Sequence, residues 1–321
     1  MGSAPLLSVE DLVVVYQTPS GPVRAVDRVS FVLERGEVLG LVGESGSGKS
    51  TVAQALARIL APPAMITGGR VLFEGHDVLA MNEDELRRFR WRKMSFVLQS
   101  AMNALSPVLT IGDQIIDVLV THERTSKRIA RERAAHLLEL VGIDPARLTS
   151  HPHELSGGMR QRVGIALALA LDPPLVVMDE PTTALDVVVQ HEVLSKIAEL
   201  KEKLGLSVLF ITHDMSVVSQ FATRIGVLYA GRLVEMAPTR ELFRAPRHPY
   251  TAGLLGSFVS IHGPRRRLAG IPGSPPDLRR LPTGCAFRAR CREAAARCAT
   301  EAPALRVIAE DHHTACHLVS P

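Results

Sequence analysis

The sequence predicts an α/β fold built on a doubly wound parallel sheet, with an α-helical subdomain and a small Cys-rich C-terminal extension. Three observations predict it. Val38 to Val42 is a short apolar strand that runs into a glycine-rich loop and then a helix, Ser50 to Leu60. Leu175 to Met178 and Ser207 to Thr212 are apolar strands separated by a helix at about 187–204, the alternation of a parallel sheet covered on both faces. Residues 83–93 and 126–141 look helical and charged, and they frame a region with less sheet character.

The remaining elements follow in order. Residues 6–16 and 29–42 read as strands rich in Val and Leu, separated by a turn-rich insert from Thr18 to Pro22. Leu155 to Leu171 holds an alanine- and leucine-rich helix. After about residue 245 the texture changes, with Pro246, Pro249, Pro264, Pro272, Pro275, Pro276 and Pro282 in one stretch. Such a segment is expected to run extended over a surface, because proline fixes φ and lacks an N–H. It leads into a tail, 283–321, that carries all four cysteines.

Composition excludes several function classes. The chain has 321 residues, 46% hydrophobic and 22% charged, the profile of a globular protein with a sizeable core. Aromatics are only 4% and the formal charge is +4, with one short cationic run, Arg265-Arg266-Arg267. A nucleic-acid partner is therefore not expected. No apolar run reaches the roughly 18–20 residues of a membrane span. Glu10 and Asp11 stand where a signal peptide would carry cations and an apolar core, so the chain is expected in the cytosol, reaching a membrane only through a partner.

The glycine-rich loop is Gly43-Glu44-Ser45-Gly46-Ser47-Gly48-Lys49-Ser50-Thr51, a complete Walker A pattern. Its glycines let backbone N–H groups curl around a β-phosphate, and the following helix turns its positive end to the same anion. Lys49 is placed to reach the β- and γ-phosphates and Ser50 to ligate Mg²⁺. Leu175 to Glu180 is an apolar strand ending in two acids, a Walker B arrangement. Asp179 would hold Mg²⁺, and Glu180 would polarise a water for attack on the γ-phosphate. A second glycine-marked helix start, Leu155-Ser156-Gly157-Gly158-Met159-Arg160-Gln161, offers an N-cap and another anion site.

With these motifs on the page, residues 6–260 resemble the ATP-binding cassette of ABC transporters, whose signature LSGGQ stands here as Leu155-Ser-Gly-Gly-Met159. The resemblance implies a P-loop NTPase ABC cassette: a RecA-like core with an antiparallel β subdomain and an α-helical subdomain at about 100–170. Residues 261–321 would form the Pro-rich linker and Cys-rich extension. It implies a head-to-tail dimer in which Ser156, Gly157 and Gly158 of one subunit cover the nucleotide held by Gly43, Ser45, Gly46, Gly48, Lys49, Ser50 and Thr51 of the other. It further assigns Tyr16 to stacking on adenine, Gln99 to the Mg²⁺ or the attacking water, and Asp186 of Ala184-Leu185-Asp186 to the D-loop. His213 is assigned to the γ-phosphate. Ser100-Ala101 departs from the acidic residue and proline that usually follow the glutamine in peptide-importer relatives.

His248-Pro-Tyr-Thr251-Ala-Gly-Leu-Leu255, Ile271-Pro-Gly-Ser-Pro-Pro-Asp277 and Leu281-Pro-Thr-Gly-Cys285 resemble the tail of the oligopeptide/dipeptide/nickel importer subfamily. That resemblance implies a peripheral subunit on the cytoplasmic face of the membrane. Its partners would be a second ATPase subunit (a heterodimer), two membrane-spanning permease subunits and an extracytoplasmic substrate-binding protein. Peptides are the expected cargo, with nickel and oligosaccharides behind. A soluble cassette acting on nucleic acid or ribosomes is the alternative.

The cysteines fall as Cys285-x5-Cys291-x6-Cys298-x17-Cys316. Structural zinc sites usually contain tight C-x₂₋₄-C knuckles, and none occurs here. The looser spacing suits a [4Fe–4S] cluster held by four separate sulfurs, and the resemblance supports it. A zinc site or four free thiols are the other readings.

Overall fold

The computed structural model describes residues 4–98, 105–183, 185–257 and 270–319. In chain order the strands are β1 (Leu7–Thr18), β2 (Gly21–Leu33), β3 (Val38–Val42), β4 (Ala64–Phe73), β5 (His76–Asp77) and β6 (Met94–Val97). They continue as β7 (Leu175–Asp179), β8 (Ser207–Thr212), β9 (Arg224–Tyr229), β10 (Arg232–Pro238), β11 (Arg306–Ala309) and β12 (His312–Thr314). The helices are α1 (Lys49–Leu56), α2 (Glu83–Phe89), α3 (Ile111–Glu123), α4 (Lys127–Leu140) and α5 (Gly157–Ala168). After them come α6 (Val187–Leu204), α7 (Met215–Val218), α8 (Thr239–Arg244), α9 (Pro249–Gly256) and α10 (Arg297–Thr300). The chain divides into two compact units: Met1–Leu33, Val38–Leu79 and Thr212–Pro321 form the first, Glu34–Glu37 and Ala80–Ile211 the second.

In the first unit, β2, β1, β4 and β5 make an antiparallel sheet in that order. Leu7, Val9, Leu12 and Val14 of β1 are all buried; a strict period of two would put Leu12 on the other face, but the register shifts between Val9 and Val14. A second set of strands begins with β3, every residue of which is buried, paired in parallel with β9. From β9 the pairing turns antiparallel to β10, then β12, then β11. The carboxylate of Asp27 on β2, almost fully buried, accepts from Arg232 Nε at 2.6 Å and from Arg24 at 3.2 Å.

The tail does not lie loosely over the surface. β12 extends the sheet at β10, and Glu235 of β10, wholly buried, binds three donors: the N–H of Arg247 at 2.7 Å, the N–H of His248 at 3.0 Å and Nε2 of His312 at 2.8 Å. One carboxylate thereby joins β10, the entry to α9 and the tail strand. The expectation of an extended proline segment is corrected at its start only, since residues 270–283, with Pro272, Pro275, Pro276 and Pro282, hold neither helix nor strand. Pro249 stands in the first turn of α9, where its missing N–H costs nothing, and Tyr250 and Thr251 behind it are fully buried. Tyr250, Tyr229, Phe287 and His248 form an aromatic cluster with ring centroids 4.6–5.8 Å apart.

In the second unit β6, β7 and β8 run parallel, and β7 and β8 are buried along their whole lengths. Their near-continuous apolar runs are what a strand covered on both faces requires. Ile111, Ile115 and Leu119 give α3 a buried stripe at helical spacing, and Thr110 and Ser126 cap α3 and α4.

Two sequence expectations need correction in detail. The strand expected at 29–42 is broken by a turn at Glu34–Glu37, where the Glu37 carboxylate accepts from the Glu34 N–H at 2.7 Å. The helix expected at 83–93 carries a full capping box from Asn82 and Glu85 but stops at Phe89. Arg90 leaves helical geometry and Trp91 takes φ +69°, which aims the chain into β6.

His248 yields a pH dependence. Its Nδ1 accepts from the Tyr250 N–H at 3.0 Å, so the ring is held neutral. Burial lowers its pKa from 6.5 to about 4, against an opposing backbone hydrogen bond to Ala315. The unfolded chain therefore takes up the proton first, and stability is lost as pH falls from 6.5 toward 4. The share of this group is about 3 kcal/mol. Denaturant unfolding of the wild type and His248→Asn (which keeps a capping acceptor) across that window is expected to show a shallower pH slope in the variant; parallel slopes would contradict the assignment.

Candidate active site

In the first unit, β3 ends at Val42 and the loop from Gly43 to Gly48 delivers Lys49 as the first residue of α1. Gly48 takes φ +102°, and a Cβ there would lie 2.3 Å from the Ala25 carbonyl oxygen, so only glycine lets the loop pass. Lys49 is nearly buried, with Nζ on the carbonyl oxygens of Gly43 at 2.7 Å and Glu44 at 3.0 Å and on Ser47 Oγ at 3.3 Å. Ser45 and Gly46 face solvent at the tip. Tyr16 of β1 meets Thr51 of α1 through their hydroxyls at 3.2 Å, which places the aromatic ring beside the loop and its helix. His213 is exposed between β8 and α7, and Asp214 caps that short helix.

In the second unit, Asp179 closes β7 and is buried. Glu180 follows with φ +47°, a left-handed conformation that a residue with a side chain adopts only under constraint. Its N–H donates to Ile211 at 2.8 Å, and its carboxylate accepts from Thr183 Oγ1 at 2.9 Å. Backbone and side chain are thus both aimed. Ser156 caps α5 by accepting from the Met159 N–H at 3.3 Å, and Gly157 begins the helix. Gly158 is buried, and a Cβ there would lie 2.4 Å from Val189 on α6. Asp186 caps α6, accepting from the N–H groups of Val188 and Val189, each at 3.1 Å. Gln99 and Ala184 lie outside the described residues.

Sequence reasoning missed two groups. Glu44, at a position the motif leaves open, is bound by Arg290 of the tail and by Tyr250. Thr183 orients the carboxylate of Glu180. Only the first had a signal: an acid in a loop meant for anions, whose one nearby cation, Lys49, is needed for the phosphates.

The four cysteines share one neighbourhood. Cys285 donates its N–H to the Cys298 carbonyl at 2.9 Å. Burial pushes the Cys285 thiol up, and Cys298, Cys316 and Cys291 add to the effect. Cys316 is raised by burial and by Cys291 and Cys298. Among the described residues, no three His, Cys, Asp or Glu side chains form a group that could hold a metal ion. A cavity of about 490 Å³ lies beside this region, lined among others by Asp27, Arg232, Cys285 and Phe287, and includes none of the phosphate-loop residues.

The pattern of the ABC transporter family matches residues 26–183, and that of the oligopeptide/dipeptide transporter C-terminal region matches residues 234–298. The oligopeptide transport ATP-binding protein OppD of Bacillus subtilis is 43% identical over 98% of this chain and 89% of its own length. The chain belongs to the oligopeptide/dipeptide family of ABC transporter ATP-binding subunits. The dipeptide transport ATP-binding protein DppD of the same organism is also 43% identical, over 98% of this chain and 94% of its own. Among solved structures, a dimeric post-hydrolysis state of the ATP-binding cassette MJ0796 bound to ADP and Pi superposes with a TM-score of 0.66. It is 30% identical and covers 73% of this chain and 99% of its own. This subunit has the ABC cassette form of the P-loop NTPase fold, and it is an ATPase. The alternative of a cassette acting on nucleic acid or ribosomes finds no support. Among the described residues, no helix is long and apolar enough to cross a membrane.

Asp186 offers a structural test. Asp186→Ala strips the cap from α6 and is expected to lower stability by about 1 kcal/mol, whereas Asp186→Asn keeps an acceptor and most of the stability. Thermal unfolding distinguishes the two; equal losses would show that the cap is not what Asp186 contributes.

Proposed function

We propose that this subunit energises the import of peptides, working at the cytoplasmic face of a membrane. Its proposed companions are a second, different ATPase subunit, two membrane-spanning permease subunits and an extracytoplasmic binding protein. The observation that carries the reading is the likeness, over the whole chain and its C-terminal region, to oligopeptide and dipeptide transport ATP-binding proteins. Val187 and Val188, 81% and 69% exposed just after Asp186, are apolar side chains of the kind a partner subunit covers.

The residue roles follow the chemistry of phosphoryl transfer, which is positioning and charge stabilisation rather than covalent catalysis. Tyr16 stacks on adenine. The N–H groups of the loop through Gly43, Ser45, Gly46 and Gly48, together with Lys49 and Thr51, take the phosphates. Ser50, Asp179 and Gln99 are the residues that would hold Mg²⁺, which would supply neutralising charge at the phosphate oxygens. Glu180 accepts a proton from the attacking water, supported by a conformation that costs free energy and fixes its direction. His213 meets the γ-phosphate. Ser156, Gly157, Gly158 and Asp186 serve the nucleotide of the partner cassette.

Glu180→Gln tests the catalytic assignment. It is expected to bind ATP, to hold the associated dimer and to lose turnover by at least about 100-fold, the usual worth of a general base. Rapid hydrolysis by this variant, measured as phosphate release, would sink the assignment.

Cys285, Cys291, Cys298 and Cys316 are proposed to carry a [4Fe–4S] cluster with a structural role, stapling a tail too short to build a core of its own. Anaerobic purification of the full chain with iron and sulfide analysis is expected to return about four irons per chain. Zinc, or no metal, would remove the cluster from the reading and leave the ATPase assignment intact.

A further inference from the structure

Glu44 occupies a position that the phosphate-loop pattern leaves open, yet each of its polar groups is engaged. Its carboxylate receives both terminal nitrogens of Arg290, at 2.6 and 2.9 Å. Its N–H donates to Tyr250 Oη at 2.9 Å, and its carbonyl oxygen accepts from Lys49 Nζ at 3.0 Å. The Arg290 side chain is only 5% exposed, and its remaining directions are also used. Nε donates to the Pro272 carbonyl at 2.8 Å, and the guanidinium stands 5.8 Å from the Tyr229 ring centroid. A planar fork fixed on three sides has one productive orientation, and that orientation grips Glu44.

The arm that presents Arg290 is short and internally bonded. Arg288 N–H donates to the Cys285 carbonyl at 3.2 Å, Arg290 N–H to Phe287 at 2.9 Å, and Cys291 N–H to Arg288 at 3.4 Å. Phe287 packs into the cluster of Tyr229, Tyr250 and His248. The segment from Cys285 to Cys291 therefore enters the core of the first unit with an aromatic ring and reaches the phosphate loop with a cation.

We propose that Arg290 is a positioning residue for ATP: the tail arm braces the phosphate loop at Glu44 and neutralises a carboxylate that would otherwise face the nucleotide phosphates. Two physical needs are met together. A bare anion in the loop would repel a polyphosphate bound there, and pairing removes that repulsion. Lys49 must also leave the carbonyls of Gly43 and Glu44 to reach phosphate oxygens. A loop already tied at Glu44 by Arg290 and Tyr250 keeps its shape when that lysine moves. The tail is thereby part of the ATP site rather than an appendage to it.

The inference rests on the Walker A loop being the ATP site, which Lys49→Ala tests separately by loss of nucleotide binding. In the full chain, Arg290→Gln is expected to raise the KM for ATP about tenfold with kcat within about twofold, the signature of lost binding common to ground and transition states. Arg290→Lys restores the charge without the fork and is expected to recover part of the affinity. The double variant Glu44→Gln/Arg290→Gln is expected to be no worse than Arg290→Gln, because the stranded anion is gone. Should Arg290→Gln fail to fold, Tyr250→Phe carries the test. It keeps the ring packing, loses the acceptor for the Glu44 N–H, and is expected to raise the KM severalfold. A KM within twofold of wild type in Arg290→Gln, or in Tyr250→Phe where that variant stands in, overturns the proposal while Lys49→Ala remains defective. Additive losses in the double variant overturn it as well.

Discussion

A phosphate loop has to be rigid while keeping its own N–H groups for an anion, and that constraint organises the first unit. Helices and sheets become rigid by spending their N–H groups on internal bonds. This loop spends only some of them, the Glu44 N–H on Tyr250 Oη and the Ser47 N–H on the Glu44 carbonyl, and is otherwise held through its carbonyls, its close contacts and the Glu44 side chain. Gly48 passes against the Ala25 carbonyl, the Ser47 carbonyl accepts from the Gly231 N–H at 3.0 Å, and Gly231 in turn accepts from the Asp27 N–H at 2.8 Å. Asp27 is itself fastened to Arg232. The antiparallel sheet, the β9–β10 turn and the loop are thus one chain of contacts, with Glu44 fixed at its far end by the tail.

Much of this was legible in the sequence where the signal is local. The strands Val38–Val42, Leu175–Asp179 and Ser207–Thr212 and the helix Val187–Leu204 stood out, because burial on both faces forces continuous apolar runs and a cap fixes a helix start. The loop and the acid pair stood out because anion and metal chemistry admits few residue types at those spacings. What stayed hidden depends on partners distant in sequence. β12 pairs with β10 across more than seventy residues, and nothing in His312-His313-Thr314 alone marks a strand that joins that sheet. The helix Ile111–Glu123 was also missed, although its apolar spacing and Thr110 cap were available.

The buried carboxylates show the same division. A sequence pattern can mark Asp179 because a metal-binding acid follows an apolar strand, but Glu235 and Asp27 look like ordinary surface acids in alternating strands. Their meaning lies in donors supplied from elsewhere: Arg247, His248 and His312 for one, Arg232 and Arg24 for the other. Burying an ion without such partners costs several kcal/mol, so each site is stable only as a complete set. Of the two, the Glu235 set is the one that includes a tail residue, His312.

That argument bears on how the tail stays attached. A segment of this length buries too little apolar surface to fold by itself. It therefore borrows the first unit: Phe287 enters the aromatic cluster, β12 takes the hydrogen bonds that the edge of β10 would leave open, and Arg290 and His312 complete carboxylates that the unit already holds. Two of these attachments satisfy something the cassette would otherwise leave open, the edge of β10 and the carboxylate of the loop acid Glu44, and His312 adds a third partner to the buried Glu235. Docking and phosphate-loop geometry consequently share the same contacts, and a change that loosens the arm between Cys285 and Cys291 reaches the loop through Arg290 without any movement having to cross the sheet.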